Sequence, residues 1–147
     1  MRVHLGNDHA GVEMRRTLAE ALKSWDHELC SEIGPDRPED AVDYPDVAAQ
    51  VCDRVLADPG SVGVLVCGTG QGMAMTANKI AGIRAAVVLD GFSARMVREH
   101  NDANVLCLGS RVAGSELAKL LLSTFLTAEF AGGRHARRVA KIDAAGG

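Results

Sequence analysis

Aromatic residues and excess positive charge are both scarce in this chain. Phenylalanine, tryptophan and tyrosine make up 3% of its 147 residues, too few for a platform on which nucleic-acid bases stack. Sixteen lysines and arginines stand against 19 aspartates and glutamates, so no overall positive field holds the chain on a phosphate polymer. An anionic ligand therefore has to bind at a local cluster of residues.

The sequence also lacks paired cysteines and long apolar segments. Its four cysteines form no CxxC pair and no close Cys/His spacing, which argues against a zinc knuckle and a redox dithiol. No segment approaches the roughly 18 uncharged apolar residues of a membrane span, and no signal peptide is visible. We therefore expect a cytoplasmic protein with reduced thiols and no membrane or nucleic-acid partner.

Short β-branched segments alternate with amphipathic segments over the whole chain, which is typical of βαβ units. The length fits one domain, residues 1–147. We predict an α/β fold with a five-stranded parallel sheet and a final basic helix. The predicted strands are 2–6, 27–33, 61–67, 83–89 and 104–108, and the predicted helices are 11–24, 45–57, 72–80, 92–101, 115–130 and 132–142.

A glycine turn from Cys67 to Gly72 is the clearest motif, because it follows an apolar strand and opens a helix. Its three glycines let backbone N–H groups turn toward a bound anion. The same groups would stabilise a thiolate, so Cys67 could be a base or nucleophile. The alternative is a buried cysteine at a strand end. For Cys30, Cys52 and Cys107, which lie within predicted strands or helices, a structural role is favoured.

The glycine turn also permits a dinucleotide-binding interpretation, since Asp90 follows at about the distance of a ribose-binding acid. The fingerprint requires glycine where Met73 stands. The chain also leaves no room for a substrate domain, so this interpretation is disfavoured.

Asp8 and His9 follow the first predicted strand, where ligands of parallel sheets bind. They could contact hydroxyls and a phosphate, or Asp8 could cap the first helix while His9 is merely exposed. His100 and Asn101 end the fourth predicted helix. They could move a proton and donate to a developing oxyanion, although turn chemistry accounts for Asn101 equally well.

Arg134 and Arg138 are four residues apart and would share one face of the last helix. Two guanidinium groups on one face suit a phosphate dianion, with Arg111 as a third partner. The alternative is a solvated basic tail.

Taken together, seven motifs resemble the ribose-5-phosphate isomerase B family over nearly the whole chain. They are Gly-Asn-Asp-His-Ala-Gly at 6–11, Asp-Tyr-Pro at 43–45, Cys-Gly-Thr-Gly-x-Gly at 67–72, Ala-Asn-Lys-x-x-Gly-Ile-Arg-Ala at 77–85, His-Asn-Asp-Ala-Asn-Val at 100–105, Gly-Ser-Arg at 109–111 and Gly-Gly-Arg-His-x-x-Arg at 132–138. The resemblance implies a Rossmann-like three-layer α/β/α sandwich and a homodimer or dimer of dimers with active sites shared between subunits. One branch of the family has a glutamate base directly after the glycine turn. Met73 stands there, and Cys67 is present, so the chain resembles the cysteine-base branch.

The resemblance implies an isomerase that interconverts ribose 5-phosphate and ribulose 5-phosphate through a cis-enediolate, without metal or organic cofactor. We assign Cys67 as the base and Thr69 as the group that shifts a proton between O1 and O2. The remaining assignments are an anion hole of Gly68, Gly70, Gly72 and Asn101, ring opening by His100 with Asp8, phosphate binding by His9, Arg111, Arg134 and Arg138, and a pocket wall at Tyr44. The alternatives are an isomerase of allose 6-phosphate, galactose 6-phosphate or a tetrose 4-phosphate, and a binding module without catalysis.

Overall fold

Five parallel strands form the sheet in a computed structural model that describes residues 1–145. They are β1 (Arg2–Asn7), β2 (Glu28–Ile33), β3 (Val62–Cys67), β4 (Ala85–Val87) and β5 (Val105–Gly109), in the spatial order β2-β1-β3-β5-β4. The helices are α1 (Val12–Ser24), α2 (Tyr44–Ala57), α3 (Gln71–Ala77), α4 (Gly91–Glu99), α5 (Ser115–Thr127) and α6 (Arg134–Ala145), with a 3₁₀ turn at His9–Gly11.

Helices cover both faces of the sheet, and the side chains of β3 show why. Val62, Val64 and Val66 point into a core shared with α1, α4 and α5, whereas Leu65 and Cys67 point into a second core shared with α2 and α3. Because successive side chains of a strand point to opposite faces, a strand buried on both faces is apolar throughout. The predicted α/β sandwich is confirmed.

The predicted boundaries differ from the observed ones by at most three residues, and the difference matters most at β4. The prediction of 83–89 was too long. The N–H of Arg84 donates to Asn104 Oδ1 at 2.8 Å before the strand begins. After the strand ends, Leu89 is exposed and Asp90 caps α4. Asn78 donates to and accepts from the backbone of Ala85, which covers part of this edge strand.

None of the helices within residues 1–145 has the length and apolar composition that a membrane crossing requires.

Candidate active site

Cys67 ends the central strand β3, at the edge of the sheet where the carboxyl ends of the strands meet. The residue is 5% exposed, and its Sγ accepts a hydrogen bond from the N–H of Gly70 at 3.1 Å. Gly70 has φ of +79°, a conformation that glycine adopts without strain. This turn therefore directs an N–H donor at the sulfur.

Tyr44 and Thr69 border the same turn. Tyr44 begins α2, is 41% exposed, and lays its ring against Gly72, where an added Cβ would come within 2.5 Å of the ring. A side chain at position 72 would therefore displace the Tyr44 ring or the start of α3. Thr69 is exposed, and its Oγ1 accepts from the N–H of Gln71 at 3.4 Å. The pocket wall at Tyr44 and the proton transfer by Thr69 stay predictions.

Asp8 and His9 follow β1 and lie beside the end of β3, because the N–H of Asp8 donates to the Val66 carbonyl at 3.1 Å. Asp8 Oδ1 accepts from the N–H of Ala10 at 2.9 Å, so Asp8 caps the 3₁₀ turn at His9–Gly11 and not α1, whose N-cap is Gly11. The Nδ1 atom of His9 is buried and has no hydrogen-bond partner within residues 1–145. A buried ring nitrogen without a partner is suited to bind a ligand.

Asn7 is a positioning residue that the sequence analysis missed. It is fully buried, and its side-chain amide donates to the carbonyls of Asp8 at 2.9 Å and Pro35 at 3.1 Å. These bonds tie the end of β1 to the loop that follows β2. The motif that contains Asn7 was visible in the sequence, but the two carbonyl partners come together only in the fold.

Arg111 follows β5 and joins the same group. Its N–H donates to the Gly68 carbonyl at 3.0 Å, and its guanidinium lies over Gly68, with Nη1 3.3 Å from the position of an added Cβ. The preceding Ser110 donates its Oγ–H to the Ala10 carbonyl and its N–H to the Cys67 carbonyl, both at 2.8 Å. The turn after β5 thus holds the ends of β1 and β3 together.

A second group of predicted site residues surrounds His100, at the end of α4. The His100 ring stacks on the ring of His135 from α6, with centroids 4.2 Å apart and planes 7° from parallel. Arg134 and Arg138 are exposed on α6 beside this pair. Burial lowers the pKa of His135 below its ordinary value, and the nearby His100 and arginines lower it further. His135 lies within the motif at 132–138, but its stacking on His100 could not be predicted from that motif.

Within one chain, these two groups lie at opposite ends of the parallel strands, the first at the carboxyl edge of the sheet and the second at its amino edge. Cys67 pairs with Gly109 at the end of β5, whereas Asn101 comes before Val105, which begins that strand. At about 3.3 Å per residue, Val105 and Gly109 are about 13 Å apart. The fold therefore gathers Asp8, His9, Tyr44, Cys67, Thr69 and Arg111 at one edge, and His100, Asn101, Arg134 and Arg138 at the other.

Two other cysteines and Asp90 have structural environments. Cys52 and Cys107 are fully buried; burial raises the pKa of Cys52 to about 12 and also raises the pKa of Cys107. Asp90 accepts from the N–H and Oγ–H of Ser93, both at 2.8 Å, which holds the pKa of its carboxyl below the ordinary value. Asp90 thus caps α4 with both carboxylate oxygens. Because this carboxylate is already engaged, the dinucleotide-binding interpretation is weakened further.

The structure is an α/β protein in which Cys67 and its glycine turn lie at the carboxyl edge of a parallel sheet. A family model described as Ribose/Galactose Isomerase matches residues 3–142, and the chain belongs to that family. The resemblance inferred from the motifs is thereby confirmed.

Relatives and solved structures match over nearly the whole chain. The chain is 40% identical to ribose-5-phosphate isomerase B of Escherichia coli, covering 97% of this chain and 95% of that protein. It is 37% identical to D-erythrulose-4-phosphate isomerase of Pectobacterium atrosepticum, covering 97% and 93%. The structure of ribose-5-phosphate isomerase B from Clostridium thermocellum is 45% identical, with a TM-score of 0.94 over 99% of this chain and 97% of that one.

Proposed function

We propose that this protein interconverts ribose 5-phosphate and ribulose 5-phosphate without a cofactor, using Cys67 as the base. The observation that carries this proposal is the Cys67 sulfur, which accepts a hydrogen bond from the Gly70 N–H, with the Arg111 guanidinium over the neighbouring Gly68. Membership of the isomerase family and the names of its relatives support the reaction and the substrate.

In the proposed reaction, the Cys67 thiolate removes the proton from C2 of the open-chain aldose. The electron pair of the broken C–H bond forms the C1=C2 double bond, and the carbonyl electrons move to O1 as an oxyanion. Thr69 shifts a proton from O2 to O1, and the Cys67 thiol returns a proton to C1 as the carbonyl forms at C2. The thiolate is regenerated, so one base serves both half-reactions.

Backbone N–H groups of Gly68, Gly70 and Gly72 would stabilise the enediolate. In the free structure the Gly70 N–H is engaged by Cys67 Sγ. Once Cys67 takes up the substrate proton, its neutral sulfur becomes a weaker acceptor, and this N–H can turn to the oxyanion. A donor of this kind is worth about 3 kcal/mol in other enzymes.

A second copy of the chain would complete the site, giving a homodimer in which each site is shared. One chain presents His9 and Arg111 at the Cys67 edge, while Arg134 and Arg138 are exposed at the opposite edge. A partner that packs its α6 against the Cys67 edge would bring two further guanidinium groups to the phosphate. The same packing would bring Asn101 to the anion hole.

The partner's His100 would then meet Asp8 and open the furanose ring. Ring opening requires one group to take the anomeric hydroxyl proton and another to protonate the ring oxygen. The substitution His100→Asn should reduce turnover of ribose 5-phosphate far more than turnover of a tetrose 4-phosphate, which forms no stable furanose. Equal losses of turnover on both substrates would show that His100 does not open the ring.

A tetrose 4-phosphate is the second candidate substrate, because the relative from Pectobacterium atrosepticum is named for one. The two sugars undergo the same reaction and differ in the distance from the reacting carbons to the phosphate. A coupled isomerase assay on both substrates tests the proposal. We expect kcat/KM to be higher for ribose 5-phosphate. A higher kcat/KM for the tetrose 4-phosphate would make that sugar the proposed substrate.

We place this activity in the cytoplasm. The four cysteines are all free thiols, as expected in a reducing compartment.

A further inference from the structure

A bulge between β1 and β2 creates a second cluster of polar side chains, away from Cys67. Val3 pairs with Leu29 but His4 pairs with Ser31, so Cys30 is an extra residue without a partner in the ladder. A bulge of this kind re-aims the side chain of its extra residue. Here it brings Cys30 Sγ close to the ring of His4.

His4 is held in one orientation by two contacts. The residue is 6% exposed, and its Nδ1 lies 2.9 Å from Ser31 Oγ. Its Nε2 lies 3.3 Å from Oδ2 of Asp58, which follows α2. In metal-binding histidines, a hydrogen bond to the ring nitrogen that does not bind the metal fixes the ring and its tautomer.

We propose that His4, Cys30 and Asp58 form a zinc-binding site. Their ligand atoms all lie within 4.8 Å of one another. Zinc takes imidazole nitrogen, thiolate sulfur and carboxylate oxygen at about 2.0–2.3 Å, so a modest inward movement of the three atoms closes the site. A thiolate and an imidazole together favour zinc over magnesium or calcium. Three protein ligands leave a fourth position for water.

Arg2 is the group that competes with the metal. Its Nη2 lies 2.8 Å from Asp58 Oδ1, its Nε donates to Oδ2 at 3.1 Å, and Nη2 also donates to the Pro59 carbonyl. The Arg2 side chain is 45% exposed, so it can move into solvent when a metal ion takes the carboxylate. The Arg2 guanidinium neutralises the Asp58 carboxylate, and a zinc ion would take the place of that guanidinium.

Zinc binding at this site releases a proton from Cys30. Burial and the nearby Glu28 raise the pKa of the Cys30 thiol, so it is protonated at neutral pH. On binding, the S–H bond breaks, the sulfur electron pair forms the bond to zinc, and the proton goes to solvent. His4 and Asp58 face the same sulfur. When zinc binds, the ion pair between Arg2 and Asp58 weakens.

The zinc would link β1, β2 and the turn after α2 without taking part in isomerisation. His4 precedes Asp8 by four residues, about 13 Å along the strand, so the ion does not reach the substrate. Because the ion binds only the folded chain, it should raise the unfolding temperature.

The test is zinc binding to the full-length chain, measured by competition with a chromophoric chelator, with cobalt(II) absorption as a report on thiolate coordination. We expect one zinc ion per chain and a thiolate-to-cobalt band. Cys30→Ser should abolish the band and weaken zinc binding by about tenfold or more. Arg2→Met should tighten binding, because Asp58 is freed. Thermal unfolding without metal checks that each variant is folded.

Cys67→Ser is the matched control, since it removes a different thiol and should leave the zinc affinity unchanged. The proposal is overturned if zinc does not bind, if Cys30→Ser binds as the unmodified chain does, or if binding is lost in Cys67→Ser. None of these readouts depends on isomerase activity, so the outcome is independent of the proposed function.

Discussion

The N–H of Gly70 donates to the sulfur of Cys67 at 3.1 Å, and this bond depends on a backbone conformation that other residues adopt only with strain. It joins the end of β3 to the start of α3. In the proposed reaction, this donor would bond the Cys67 thiolate and become free for the substrate oxyanion once the sulfur has taken up the proton. One amide can thus serve both charged states of the reaction.

Gly70→Ala should lower both stability and kcat. Alanine at φ of +79° is strained by about 1–2 kcal/mol, and its Cβ would lie 3.1 Å from the Leu108 backbone. The measurements are thermal unfolding and kcat on ribose 5-phosphate. Gly91→Ala is the control, because an added Cβ there meets nothing within 4 Å. Equal behaviour of the two variants would contradict the role given to this turn.

Gly72→Ala should reduce activity through Tyr44. The added Cβ would lie 2.5 Å from the tyrosine ring, so the ring or the start of α3 must move. In a Tyr44→Ala background the same substitution has nothing to displace and should cost much less stability. A double-mutant cycle of unfolding free energies measures this coupling. Additive costs would show that the two residues do not constrain each other.

Mixed dimers test whether the sites are shared. Cys67→Ala should be inactive, and Arg138→Ala should raise KM by about tenfold or more, because a hydrogen bond to a charged group is lost. In a dimer of one chain of each kind, shared sites place unmodified Cys67 and Arg138 together in one of two sites. Random mixing should then restore about one quarter of full activity at low substrate. If each site is built from one chain, mixing restores nothing.

Stability should decrease in mild acid because of His135. Its pKa in the folded chain lies below the ordinary value, so the unfolded chain binds a proton more readily. The contribution is complete above about pH 6.5 and is lost as the pH decreases from there toward the folded-state pKa. His135→Phe keeps a ring against His100 but cannot titrate.

Unfolding temperatures between pH 5 and pH 8 should therefore decrease more for the unmodified chain than for His135→Phe. His27, whose pKa is also lowered by burial, titrates in both proteins and cancels in the comparison. Parallel curves would show that His135 contributes no pH dependence.

The sequence predicted the succession of strands and helices along the chain, because each buried strand is apolar and each connection carries its own turn residues. It also predicted the glycine turn after Cys67, where Gly70 has the positive φ that glycine adopts without strain, while the catalytic role of Cys67 stays a prediction. It could not predict that His135 stacks on His100, or that Asn7 bonds the Pro35 carbonyl, because these partners are far apart in the chain. The bulge at Cys30 was hidden for the same reason, since strand register depends on the neighbouring strand.

The most direct test of the account is kcat on ribose 5-phosphate for Cys67→Ala and for Cys67→Ser, which keeps the side-chain volume. If Cys67 is the base, kcat should decrease by about 10²–10⁴-fold in both variants, with little change in unfolding temperature. Exchange of the C2 proton with solvent should be lost in parallel. Turnover within about tenfold of the unmodified enzyme in a folded Cys67→Ala protein would contradict the central claim.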